Sequence, residues 1–138
     1  MVAMTALGSA AAVLDRTITH VKQRICAKEI ATPRDTCFEA VGKHFVGINA
    51  AMLVTLCAIA QNLGDDSRAS LWSRAVKAWS VEQSYEAVSE LALLMGASAV
   101  RPDHFASKAL PDLRAFLLAD GIHDSLRRSA GRALLDLP

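Results

Sequence analysis

The sequence predicts an all-α domain: an antiparallel up-and-down bundle of three long helices, a short helix and a C-terminal helix. Three observations carry that prediction. The apolar mass is large and poor in aromatics, 52% hydrophobic against 5% Phe, Trp and Tyr, so it consists mainly of Ala, Leu and Val, side chains that let helices approach closely. Apolar positions recur at alternating steps of three and four over long stretches, the period of a helix face. No run alternates with period two for more than a few residues, and glycine and proline fall between the periodic segments.

The first helix is marked by Leu7, Ala11, Leu14, Ile18, Val21 and Ile25, with Asp15, Arg16, Thr19, Lys22 and Gln23 on other faces. That is about six turns, ending before the Ala-Thr-Pro of residues 31–33. Asp35 and Thr36 are candidate caps for the second helix, because a short oxygen-bearing side chain satisfies the first free N–H groups. Its stripe is Phe38, Val41, Phe45, Ile48, Met52, Leu56 and Ile59. Beyond Asn49 this helix has almost no wet face, which predicts either the centre of the bundle or an oligomer interface.

Gly64 is the clearest helix stop, and Asp65 or Asp66 the next cap. The third helix is predicted from about Ser67 to Met95, with Leu71, Ala75, Ala78, Tyr85, Val88 and Ala92 toward the core and Trp72 and Trp79 on an adjacent face. Glu82, Glu86 and Glu90 form a ladder one turn apart, read as a solvated face. A short helix is expected from Pro111 to Leu118. The Asp120-Gly121 pair then opens a basic terminal helix, in which Arg127 and Arg128 complement the helix dipole and pair with Asp124.

The 138 residues, with a net charge of +1, read as one domain spanning 1–138. Such a charge carries no global field toward nucleic acid or a membrane surface. Cys26, Cys37 and Cys57 are odd in number and form no CxxC pair, which fits reduced thiols and a cytoplasmic location. No basic segment precedes an apolar run at the N-terminus, so no signal peptide is expected. The longest apolar stretch, Val46–Ala60, contains Asn49 and is shorter than a bilayer span. His20, His44, His104 and His123 lack metal-ligand spacing.

Residues 91–135 (LALLMGASAVRPDHFASKALPDLRAFLLADGIHDSLRRSAGRALL) set a helix running into Gly96, a loop, a short helix, an acid–glycine pair and a basic helix. That order resembles the C-terminal helical domain of acyl-CoA dehydrogenases. Three further segments agree in order and spacing. Residues 20–30 (HVKQRICAKEI) sit where the family has its arginine–any–glutamine–phenylalanine–glycine signature, with Arg24 on the arginine and Lys28 on a basic position that often follows. Residues 37–45 (CFEAVGKHF) resemble the family's second-helix start, and 75–83 (AVKAWSVEQ) its third long helix. The resemblance covers about residues 5–135.

What it implies is a flavoprotein. In the family this domain packs as a dimer of dimers, and its arginine and glycine turn approach FAD of a neighbouring subunit. Carried onto this chain, Arg24, Gly96 and Gly121 are the candidate cofactor-binding residues. Asp120 is the candidate base, standing where the family commonly has glutamate and some branches aspartate. The implied reaction removes the α-proton of an acyl-CoA thioester while the β-hydride passes to the flavin. Read without the resemblance, Asp120 is a helix N-cap.

The chain departs from the family pattern at several points. Ile25, Cys26 and Ala27 stand for the signature's glutamine, phenylalanine and glycine, Leu93 for the glutamine before the turn, and Ala97 and Ala99 for two turn glycines. A complete dehydrogenase has a helical N-terminal domain and a β-domain ahead of this region. The expectation is therefore a domain or separate subunit, incompetent by itself, whose FAD is shared with a partner subunit or lost. Its partners would be further copies of itself and/or a flavin-carrying dehydrogenase subunit, with an acyl-CoA type substrate and neither nucleic acid nor membrane. The alternatives are a degenerate scaffold of the same fold and an unrelated helical bundle.

Overall fold

The computed structural model describes residues 2–27, 35–63 and 69–135. Its elements are α1 (Val2–Cys26), α2 (Asp35–Asn62), α3 (Ala69–Leu94), a 3-10 turn (Gly96–Val100), α4 (Phe105–Phe116) and α5 (His123–Leu134). The predicted all-α architecture is the observed one. The expected breaks at 31–33 and Gly64, the caps at Asp65 or Asp66, and Lys28 lie outside the described residues.

The bundle is organised around α3, which packs against all the other helices. That explains its composition. Ala78, Ser80, Val81, Ser84, Ala87, Val88, Leu91 and Ala92 are all buried, and only small residues let several helices approach one helix. Of the predicted core positions Ala78, Val88 and Ala92 are buried, while Leu71, Ala75 and Tyr85 are partly covered. On α1 the buried set is Ala3, Ala6, Leu7, Ala10, Val13, Leu14 and Thr17. The last two turns, with Ile18, Val21 and Ile25, are only half-covered. Thr17 returns its hydroxyl to the Val13 carbonyl at 2.8 Å and reaches Met95 sulfur at 3.7 Å, setting the C-terminal ends of α1 and α3 side by side.

The expected stripe of α2 is displaced. His44, Ile48, Ala51, Thr55 and Ala58 are the buried residues, while Phe38, Phe45, Leu56 and Ile59 are exposed along with Val46, Leu53 and Leu63. The cause lies in what α2 meets. Thr55 and Ser80 share a hydrogen bond of 2.9 Å between their hydroxyls, and Ala51 and Ala58 flank Thr55 one turn to either side. Small faces small across this seam, so the large apolar side chains point outward. At 28 residues, with an 18-residue window of mean hydropathy 1.6, α2 is long and apolar enough to cross a membrane, though 28% of that window is buried against the bundle.

The acidic ladder of α3 is no idle solvated face. Glu86 and Glu90 both receive Lys43 (3.0 and 2.9 Å), and Glu90 also takes His44 Nε2 at 2.8 Å. Glu82 takes His123 Nδ1 at 3.0 Å and the Arg127 guanidinium. The ladder thus ties both α2 and α5 to α3. Arg127 therefore pairs with Glu82 rather than Asp124, while Arg128 bonds the Asp124 backbone carbonyl at 3.3 Å.

The fourth helix starts earlier than predicted, at Phe105, and carries Pro111 inside it. Its cap is His104, whose Nδ1 accepts the Ala106 N–H at 3.2 Å. Ser107 secures the same turn by donating to the carbonyls of Arg101 and His104.

Candidate functional site

Two regions hold the residues singled out by sequence, and they lie at opposite ends of α3. The first is built by the C-terminal end of α1 and the turn that leaves α3. Because α1 and α3 run parallel, Arg24 comes to the same end of the bundle as Gly96. A cavity of about 450 Å³ there is lined by His20, Gln23, Arg24, Ala27, Met95 and Ser98. Gly96 has φ +61° with open space around the position of a Cβ. Glycine serves here to let the chain turn in the left-handed region.

The departures from the family pattern sit at the same end. Leu93 is 79% exposed, an apolar side chain where a glutamine would have offered an amide. Cys26 and Ala27 are exposed, and Ala99 is buried in the core. Among the described residues, His20, Gln23 and Arg24 bring nitrogen-bearing side chains to this cavity.

The second region is the connection from α4 to α5. Asp120 and Gly121 both take positive φ, 54° and 102°. A Cβ on Gly121 would stand 3.1 Å from Leu126 Cδ2, so glycine is required there for both backbone and space. Lys77 of α3 fixes this connection. Its ammonium donates to the backbone carbonyls of Phe116 (3.4 Å), Ala119 and Gly121 (3.2 Å). Burial pushes its pKa below the ordinary lysine value, an effect the nearby Asp120 charge partly opposes.

Asp120 is exposed, at the mouth of a shallow cavity of about 300 Å³ shared with Asn62, Ser73, Arg74, Lys77 and Leu126. It is not the N-cap of α5. Ile122 holds that position and makes no side-chain cap bond.

From Lys77 to Leu94 is roughly 25 Å along the helix axis, so Arg24 and Gly96 on one side and Asp120 and Gly121 on the other cannot share one small ligand. Sequence reasoning missed Lys77, the Glu82–His123–Arg127 cluster and the Lys43–His44–Glu90 seam. The signal available for the last two was a carboxylate ladder on a helix crowded by partners, opposite buried histidines.

What the fold and these two ends define is an antiparallel helical domain of the dehydrogenase C-terminal type. In agreement, a family model described as acyl-CoA dehydrogenase, C-terminal domain, matches residues 1–116. The chain belongs to that family, as an acyl-CoA dehydrogenase-like domain. The match includes Arg24 and Gly96 and stops short of Asp120 and Gly121. Neither the curated proteins nor the solved structures compared with the chain gave a match.

Proposed function

We propose that this chain is the C-terminal domain, or a separate subunit, of an acyl-CoA dehydrogenase-like flavoprotein, and that it lends half-sites to an oligomer instead of forming a whole active site. The observation that carries this reading is the meeting of Arg24 with the Gly96 turn at one cavity, at the end of the bundle opposite Asp120. Two half-sites about 25 Å apart on one chain suit an assembly in which each chain serves two flavins.

Members of the family typically bind FAD. The residues present fit its pyrophosphate and no more of it. Arg24 offers a planar fork of donors that matches phosphate oxygens, Gln23 an amide, and the Gly96 turn an approach unhindered by a side chain. Among the described residues none at this end encloses an isoalloxazine ring, and on this reading that shelter comes from another domain or subunit. A bound flavin would supply the hydride acceptor.

Asp120 is the group that would take the α-proton of the thioester. Gly121 lets the turn form, and Lys77 grips the carbonyls on either side of Asp120 so that its carboxylate faces outward. Since the described residues lay no apolar cover over that carboxylate, the cover a general base needs would come with the acyl chain and the partner.

The outer face of α2 supports self-association. From His44 to Asn62 it carries no Asp, Glu, Lys or Arg, while Phe45, Val46, Leu53 and Leu56 are each more than half exposed. The Thr55–Ser80 register sets Trp79, itself exposed, at the level of Leu56 and Ile59. A face about 28 Å long and without charge is self-complementary toward a second copy. In sedimentation at micromolar concentration, wild type should run as an oligomer and Leu53→Lys/Leu56→Lys as a folded monomer. A monomeric wild type would refute this part.

For the flavin reading, the assembly purified from source cells should show flavin bands. Arg24→Gln should release the flavin, and Asp120→Asn should retain it while losing turnover by orders of magnitude. Full turnover by the isolated chain with FAD and an acyl thioester would overturn the half-site reading. The exposed Leu93 and Cys26 favour a second reading, a degenerate scaffold of the same fold. It expects a colourless oligomer in which Asp120→Asn leaves the activity of any complex unchanged.

A further inference from the structure

A further cavity, larger than the two described above, belongs to neither end. It measures about 650 Å³ and lies between the middle of α1 and the first turns of α4, within the size range of small-molecule sites. We infer that it binds the phosphomonoester of a small hydroxylated metabolite, with Arg16 and Lys108 holding the phosphate and Asp112 accepting from a hydroxyl.

The polar part of the wall presents more donors than acceptors. Arg16 makes no ion pair with any described side chain. Its guanidinium carbon instead rests 5.1 Å from the centroid of the Phe105 ring, and that stacking fixes the plane of the fork while leaving its N–H edges for a ligand. Phe105 is itself stacked on His104, with centroids 4.2 Å apart. His104 Nδ1 is occupied as acceptor of the Ala106 N–H, so the neutral imidazole carries its proton on Nε2 and is a second oriented donor.

Lys108 follows on the first turn of α4. It is exposed and also without an ion-pair partner among the described residues. The positive end of this twelve-residue helix adds to the same field. Arg101 is already neutralised by Asp103 through two bonds of 3.2 and 3.1 Å, so the rim is closed and the unspent charges are two cations and Asp112.

That balance selects the ligand class. Two fixed cations beside a helix N-terminus suit a dianionic phosphate. One unpaired carboxylate further along the wall disfavours a second anionic group and suits a hydroxyl. The volume leaves room for a sugar or nucleoside body.

The site stands apart from the flavin reading, and the experiment keeps the two separate. Adenosine monophosphate and ribose 5-phosphate would be titrated into the 15N-labelled chain, in low and in moderate salt. The expected result is saturable shifts at the amides of Phe105, Ala106 and Ser107, weakening with salt. Arg16→Gln and Lys108→Gln should each raise the Kd by about tenfold or more; both side chains are exposed, so the fold should persist, with only a small fall in melting temperature where Arg16 leaves the Phe105 ring. Arg24→Gln should leave binding unchanged. The proposal is overturned if neither probe saturates at millimolar concentration, or if Arg24→Gln abolishes binding while Arg16→Gln and Lys108→Gln do not. Equal binding of inorganic phosphate and both probes would remove the metabolite body from the proposal.

Discussion

Removing the Glu90 carboxylate tests whether the α2–α3 seam is held by a buried histidine or by surface charge. Glu90 accepts from His44 Nε2 at 2.8 Å and from Lys43 at 2.9 Å, but the two bonds are unequal. His44 is only 4% exposed, so Glu90→Ala leaves a buried ring nitrogen without its partner, at a cost of about 1–3 kcal/mol. The Lys43 ammonium is half-exposed and returns to water, so its loss adds little. A loss of about 2 kcal/mol lowers the melting temperature of a chain this size by roughly 6–8 °C.

Glu90→Gln keeps an oxygen that accepts from Nε2 and should cost under about 1 kcal/mol. The pH dependence follows from the same contacts. The hydrogen bonds from Lys43 and then His44 hold Glu90 below its unfolded value of 4.5, so its contribution is present above that value and lost as pH falls through the folded one. Lys43 is held above 10.5 by Glu90 and Glu86; its contribution is present below 10.5 and lost as pH rises through its folded value. Urea unfolding of wild type and the two variants at pH 3, 7 and 11 reads all of this. Equal losses for Glu90→Ala and Glu90→Gln at pH 7 would show that charge, not the satisfaction of His44, holds the seam.

Gly121→Ala and Gly96→Ala separate two uses of glycine. Both positions have positive φ, but only at Gly121 does the new methyl meet Leu126. Gly121→Ala should therefore cost about 1–3 kcal/mol and Gly96→Ala about 1 kcal/mol, by urea unfolding. Lys77→Met should speed amide exchange across residues 117–122, and Lys77→Arg should restore part of the protection. Since burial lowers the Lys77 pKa, the folded chain binds fewer protons than the unfolded one between its folded value and 10.5. Wild type should thus gain stability relative to Lys77→Met as pH rises through that window.

The helices were legible because their period is written in the apolar positions, and α1 and α3 fall where that period puts them to within a few residues. Facing was harder to read. On α2 nearly every face is apolar, so hydrophobicity could not choose among them; the seam was chosen by size, with Thr55, Ala51 and Ala58 fitting the serines of α3 better than Phe45 or Leu56 would. The α4 boundary was missed because its cap is a histidine using a ring nitrogen, outside the usual oxygen-bearing set, and because Pro111 suggested a start where the helix was already under way. Arg24 and Gly96 were found by motif alone. Their meeting at one end follows from the parallel course of α1 and α3, which a linear sequence does not display.

The same topology bears on how the domain works. An up-and-down bundle returns α3 to the end where α1 finished, so Arg24 and Gly96 come together there, and the α4–α5 connection must then run back beside α3 to bring Asp120 to the far end. Lys77 and Glu82, just over one turn apart on α3, hold that return path, the first through three backbone carbonyls and the second through His123 and Arg127. Neither contact is part of the Arg24 end. A perturbation of α5 should therefore reach Asp120 without disturbing the Arg24 cavity, and damage to the Gly96 turn should leave Asp120 in place. Separable ends of this kind are what a chain requires if its two half-sites are completed by two different neighbours.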